Sequence, residues 1–159
     1  MSAVFVMDDS ARSILRARLM LHEGISLVAY YDSEGYATQG VGHLLSPVRH
    51  APLAGFPDIT TEQAMIWLDA DIGMAEDHVA SVFGWFATLD GIRQGVLVEM
   101  AFQLGLAGLL GFTRMLSDCR FGNFVGAAAE MLNSTWHTQT PARCEALAEI
   151  MRTGKVDHA

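Results

Sequence analysis

Apolar positions recur at helical spacing from Asp9 to Glu23, where Ile14, Leu15, Leu19 and His22 fall on one face. Asp8, Asp9 and Ser10 offer N-caps, and Gly24 stands where a left-handed residue would stop the helix. From Leu27 to His43 the pattern changes. Tyr30, Tyr31, Tyr36, Thr38 and Val41 favour strands, and Asp32-Ser-Glu-Gly35 reads as the turn in a small hairpin or meander. Ser46 to Asp58 holds three of the four prolines and reads as loop. Thr60 with Gln63 forms a capping box that opens a long amphipathic helix reaching about Val79. Asp90 is placed to cap an apolar helix running to Leu104, and Thr113 to cap another. A short helix is expected over Gly126 to Leu132, and Thr140-Pro141 opens the last one. The predicted class is α+β, mostly α.

A chain of 159 residues fits one domain, and 51% hydrophobic against 18% charged residues excludes a disordered segment. Cys119 and Cys144 make no disulfide framework and no zinc spacing, so two buried free thiols in a reducing cytoplasm are expected. The first residues are apolar only briefly, carry no basic leader and run into Asp8 and Asp9, so no signal peptide is expected. The apolar stretch Gly95 to Phe112 contains Glu99 and Gln103 and is broken by Gly105, Gly108 and Gly111, which favours buried core helices over a membrane span.

The net charge of −8 argues against a nucleic-acid partner, which needs a basic face. It also predicts weak long-range attraction to an anionic surface. The six histidines include no HExxH pattern, so no metal is expected, and no cofactor either. His43 is expected to pair with Asp71 on the long helix as a structural contact. Asp32 to Gly35 lacks the ligand pattern of a calcium loop.

Three residues carry candidate chemistry. Glu23 lies in the last turn of its helix, where the helix dipole disfavours a negative charge, and such a placement suits a carboxyl that must deliver a proton. Asp32 stands at the turn after the first strand. Thr38 follows on the return strand, with Gly40 and Gly42 expected on its face by strand alternation. Each has a plain reading when taken alone: a frayed surface glutamate, a turn aspartate, a bend in a small sheet. Together a helix-end acid, a turn carboxylate and a strand hydroxyl suit glycoside hydrolysis, in which one carboxyl protonates the leaving oxygen and the other side handles water or the sugar cation.

The run His22-Glu-Gly24, then Tyr30-Tyr-Asp-Ser-Glu-Gly-Tyr-Ala-Thr38, then Gly40-Val-Gly-His-Leu44, closely resembles the T-even-phage type of lysozyme. The spacing of Glu, eight residues, Asp, five residues, Thr is similar to that family's. Ala101-Phe-Gln103, Gly111-Phe-Thr113, Trp136-His-Thr-Gln-Thr-Pro141 with Arg143, and Arg152-Thr-Gly154 resemble it in the same order. The likeness runs from about residue 13 onward.

The resemblance implies that Glu23 is the general acid and that Asp32 and Thr38 hold the attacking water of an inverting reaction. It implies substrate contacts for Leu44, Phe102 and Gln103. It also implies that Arg143 pairs with the catalytic glutamate, supported by Trp136 and Gln139. The implied fold is a single lysozyme domain over 1–159: a small β lobe at 24–59, a connecting helix at 60–80, and a helical lobe from 1–23 and 81–159. The cleft would lie between the lobes.

The chain departs from the pattern in several places. Met115 and Glu130 stand where family members carry small or amide groups that touch sugar. The loop after Leu45 is short, so the small lobe is expected to lack a helix. The strand before Asp32 lacks the family's basic residues, and about a dozen extra residues precede the first helix.

The implied substrate is bacterial peptidoglycan, cut between N-acetylmuramic acid and N-acetylglucosamine by a monomer with no stable membrane insertion. The enzyme would be made in the host bacterial cytoplasm and reach the wall through a holin-type pore. Two alternatives stand beside an endolysin: a lytic transglycosylase, which uses the acid without water, and an inactive or virion-associated peptidoglycan-binding module. Glu99, a carboxylate in an apolar helix, requires a partner, with His22 the first candidate and Arg143 the second.

Overall fold

The computed structural model describes residues 7–157. Among the described residues, seven α-helices and a three-stranded antiparallel sheet make the α+β, mostly α, architecture expected from the sequence. Helix α1 spans Asp9–Glu23 and is followed by strands β1 (Ser26–Tyr31), β2 (Tyr36–Gly40) and β3 (His43–Arg49). Helices α2 (Thr61–Val82), α3 (Gly91–Leu110), α4 (Thr113–Arg120), α5 (Phe124–Leu132), α6 (Thr135–Gln139) and α7 (Pro141–Thr153) complete the chain. It divides into two compact units, 16–74 and 1–15 with 75–159, and the unit boundaries fall inside α1 and α2.

The unit 16–74 is built on the sheet, in the order β1-β2-β3. Its core includes Leu19, Ala37, Val41, Ala64, Leu68 and Ile72, all buried. The end of α1 follows from one residue. Gly24 takes φ +72°, and its N–H donates to the carbonyl of Met20 at 3.0 Å, satisfying a carbonyl that the helix leaves over. Arg16 on α1 reaches Asp69 on α2 at 2.7 Å. Gln39, almost wholly buried, spends its amide hydrogens on the carbonyls of Leu27 and Pro57 at 2.9 and 3.0 Å, fastening the loop before α2 to β1. His43 meets Asp71 at 2.7 Å, as expected, and stacks on Trp67 with ring centroids 4.4 Å apart. The Thr60 hydroxyl accepts from the Gln63 N–H at 3.1 Å and so opens α2.

Two expectations in this unit need correction. The stretch from Ser46, expected as loop, begins inside a strand: β3 runs to Arg49 through Pro47. An edge strand tolerates proline because one side of its backbone has no ladder bond to lose. Beyond Ala51 the loop forms a single 3-10 turn, Leu53–Gly55, and no α-helix before α2. Gly40 and Gly42 do not continue the face of Thr38. Gly40 ends β2 with φ +67° and Gly42 lies in the following turn with φ +63°, so both serve left-handed backbone and the strand alternation stops there.

In the other unit Val96, Leu97, Met100, Met131, Leu147 and Met151 are buried core. Asp90 caps α3 by accepting from the Arg93 N–H at 3.0 Å. The helix is interrupted at Gly105 (φ 74°), close to its expected end, and resumes to Leu110. Asn123 caps α5 through Gly126 N–H at 3.1 Å. Thr113 caps nothing: Phe112 holds the N-cap position and Thr113 is the first helical residue of α4. The five-residue α6, capped by Ser134 through His137 N–H, was not expected. Arg93 ties α3 to the end of α7, donating from Nε to the Met151 carbonyl at 2.7 Å while lying over the Phe124 ring at 3.7 Å. The segment ahead of α1 is shorter than the dozen residues expected, because the helix already begins at Asp9; residues 1–6 lie outside the described part. There Met7 N–H donates to the buried Glu76 at 2.5 Å, and Arg12 forms an ion pair with the same carboxylate. Among the described residues no single helix is long and apolar enough to cross a membrane.

Candidate active site

Within the unit 16–74, Glu23 is the last residue of α1, Asp32 follows the end of β1, and Thr38 lies in β2. The register brings Thr38 opposite Tyr30 on β1 and opposite Leu44 on β3. Directly opposed residues put their side chains on one face, and so do residues two apart along a strand. Asp32 stands two residues beyond Tyr30 and donates its backbone N–H to the Tyr36 carbonyl at 2.9 Å, continuing the ladder. Tyr30, Asp32, Thr38 and Leu44 therefore share a sheet face, while Ala37 and Gln39 point to the other and are buried. Leu44 is half exposed, Thr38 is buried and Asp32 is partly so.

Asp32 is held by the turn that follows it. Its Oδ1 accepts from the N–H groups of Glu34 and Tyr36, both at 2.9 Å. That Asx-type arrangement fixes the carboxylate plane and leaves Oδ2 without a hydrogen bond among the described residues. The Thr38 hydroxyl donates to the Tyr36 carbonyl at 2.9 Å. With its only proton committed, this hydroxyl can act only as an acceptor towards a further group. The pair thus presents two acceptors, Asp32 Oδ2 and Thr38 Oγ1, on one face.

Tyr30, read from the sequence only as strand-forming, is a further ionisable group on this face. Its phenol is held above the ordinary tyrosine range, first by burial, then by the negative charges of Glu23 and Asp32. Both carboxylates therefore act on the same ring. The available signal was its position two residues before Asp32, on the same strand face.

In the other unit, Phe102 and Gln103 lie on α3, Trp136 and Gln139 on α6, and Arg143 on α7. The Gln103 side chain accepts from the Trp136 indole N–H at 3.0 Å and donates to the Thr140 hydroxyl at 3.4 Å, so its amide is engaged at both ends. Arg143 donates from Nε to Glu99 at 2.9 Å, which makes the second of the two candidate partners for Glu99 a real one.

A family model described as Phage lysozyme matches residues 20–151. The chain belongs to the phage lysozyme family. It is accordingly a glycoside hydrolase, a muramidase, of the T4-type phage lysozymes. "Probable T4-type lysozyme 1" of Dictyostelium discoideum is 29% identical across 91% of this chain and 97% of its own length. "Pre-baseplate central spike protein Gp5" of Enterobacteria phage T4 is 30% identical across 94% of this chain, which spans only 29% of that protein. "Endolysin" of Salmonella phage P22 is 31% identical across 72% of this chain and 76% of its own. In this lysozyme Met115 and Glu130 line one pocket of about 520 Å³ together with Trp136 and Gln139. Phe102 and Gln103 do not line it.

Proposed function

We propose that this lysozyme hydrolyses the bond between N-acetylmuramic acid and N-acetylglucosamine in bacterial peptidoglycan with inversion, as an endolysin-type enzyme whose output is host-wall lysis. Glu23 is the acid: its carboxyl proton passes to the glycosidic oxygen as the bond to the anomeric carbon breaks. A water on the opposite side of the sugar ring attacks that carbon. One of its hydrogens goes to Asp32 Oδ2 and the other is held by Thr38 Oγ1, which leaves a lone pair directed at the sugar. Glu23 ends the turnover as a carboxylate and Asp32 protonated, and exchange with solvent restores both.

The observation that carries this reading is the commitment of the Thr38 proton to Tyr36 and of Asp32 Oδ1 to two backbone N–H groups. What remains on the face is a pair of acceptors, the arrangement a water nucleophile needs. A transglycosylase, which closes the sugar on itself, would have no use for it. Leu44 is exposed on the same face and is assigned to sugar packing.

Product analysis on purified peptidoglycan tests the proposal. Hydrolysis with inversion gives reducing ends that start as the α-anomer, read by NMR before mutarotation. Anhydro-muramic ends would replace it with the transglycosylase reading, and β-anomers would mean retention.

A further inference from the structure

We infer that the Tyr30 hydroxyl is a substrate-binding donor of this site, making a hydrogen bond to a neutral oxygen, a hydroxyl or acetamido carbonyl, of the N-acetyl sugar that is cut. The inference rests on the assignment of Glu23, Asp32 and Thr38 to the reaction.

Three observations support it. Tyr30 opposes Thr38 across the β1–β2 ladder and lies two residues before Asp32, so its ring adjoins the two water-holding groups on one sheet face. Its hydroxyl has no hydrogen-bond partner among the described residues, although the ring is partly buried; Tyr31, its neighbour on the other face, spends its own hydroxyl on the Ala51 carbonyl at 2.8 Å. A partly buried phenol usually finds a partner. Glu23 and Asp32 both oppose ionisation of the ring, so Tyr30 stays a protonated donor wherever the enzyme works. A neutral donor acted on by two carboxylates suits a neutral sugar oxygen, whereas a cationic side chain there would neutralise the acid and the base.

The experiment compares Tyr30→Phe with wild type and with Glu23→Gln, using a peptidoglycan-derived oligosaccharide of alternating N-acetylglucosamine and N-acetylmuramic acid. Tyr30→Phe keeps the ring and should keep the wild-type Tm, because the hydroxyl has no internal partner to lose. Its kcat/KM should fall about three- to tenfold, the weight of one neutral hydrogen bond. Affinity of the oligosaccharide for Glu23→Gln should fall by a similar factor when Tyr30→Phe is added, a binding loss that a purely structural role would not produce. If kcat/KM of Tyr30→Phe stays within twofold of wild type while Glu23→Gln is inactive, the inference is overturned and the catalytic assignment survives. A loss of activity matched by a loss of Tm, with affinity unchanged in the Glu23→Gln background, would make Tyr30 a folding residue and overturn it as well. An active Glu23→Gln would remove the assignment on which it rests.

Discussion

Arg143 donates from Nε to the carboxylate of Glu99 at 2.9 Å, and the Glu99 side chain is wholly buried. Two charges drawn out of water at such a site hold one another in place, and the loss of one removes a charge-assisted hydrogen bond from the other. Glu99→Ala should therefore destabilise the protein by about 3–5 kcal/mol, and Glu99→Gln by less, because an amide oxygen still accepts from the guanidinium. Urea denaturation measures both. A cost below about 1 kcal/mol for Glu99→Ala would mean that the Arg143 charge is satisfied without it.

Thr38 and Asp32 make separable predictions. Thr38→Ser keeps an acceptor and should retain most activity, whereas Thr38→Val removes it and should cost at least about tenfold in kcat. Asp32→Ala removes the proposed base and should cost about 10²–10⁴-fold. Equal rates for the serine and valine variants would show that the hydroxyl does not touch the water.

The local part of the candidate site was legible in the sequence because Glu23, Asp32 and Thr38 fall within one helix-turn-sheet segment, where spacing sets which element carries each. The Gly24 stop, the Asp90 cap and the His43–Asp71 contact were legible for the same kind of reason: each follows from one residue's chemistry beside a predicted element. Strand β3 was hidden by Pro47, since an edge position cannot be recognised before the strand order is known. Helix α6 was too short to show a period. Arg143 and Glu99 are 44 residues apart, and only the cost of a lone carboxylate in an apolar helix announced that a partner must exist. Tyr30 was hidden in plain view, because a tyrosine in a strand satisfies the β pattern before any other role is considered.

The two cysteines are buried, and burial first of all pushes the thiols up, Cys119 to about 12 and Cys144 to about 11. The charges of Asp118 and Glu145 add to this. Thiol reagents at pH 8 should label the native protein slowly and the urea-unfolded protein at once, a difference that timed alkylation and mass analysis will read. The sign for stability follows. Both groups favour the protonated thiol in the folded state, so their contribution is intact below the unfolded value of 9.0 and is lost as pH climbs through 11 to 12. Replacing both with alanine or valine should flatten the alkaline limb of the Tm–pH curve. An unchanged limb would assign the loss to other groups.

The net charge of −8 sets the enzyme against an anionic wall. The Debye length falls from about 30 Å at 0.01 M ionic strength to about 10 Å at 0.1 M, so added salt should relieve repulsion. Activity on isolated walls is expected to rise over that range at fixed pH. A steady fall from the lowest salt would show that local positive charge, from Arg114 and Arg120, governs the encounter instead.

The claim on which the rest depends is that Glu23 delivers the proton. Clearance of purified sacculi by wild type and by Glu23→Gln, at matched concentration and with matched Tm, tests it most directly. Glutamine keeps the shape and cannot donate the proton, so the variant should clear sacculi on the order of 10²–10⁴-fold more slowly or not at all. Clearance by Glu23→Gln at the wild-type rate would contradict the mechanism.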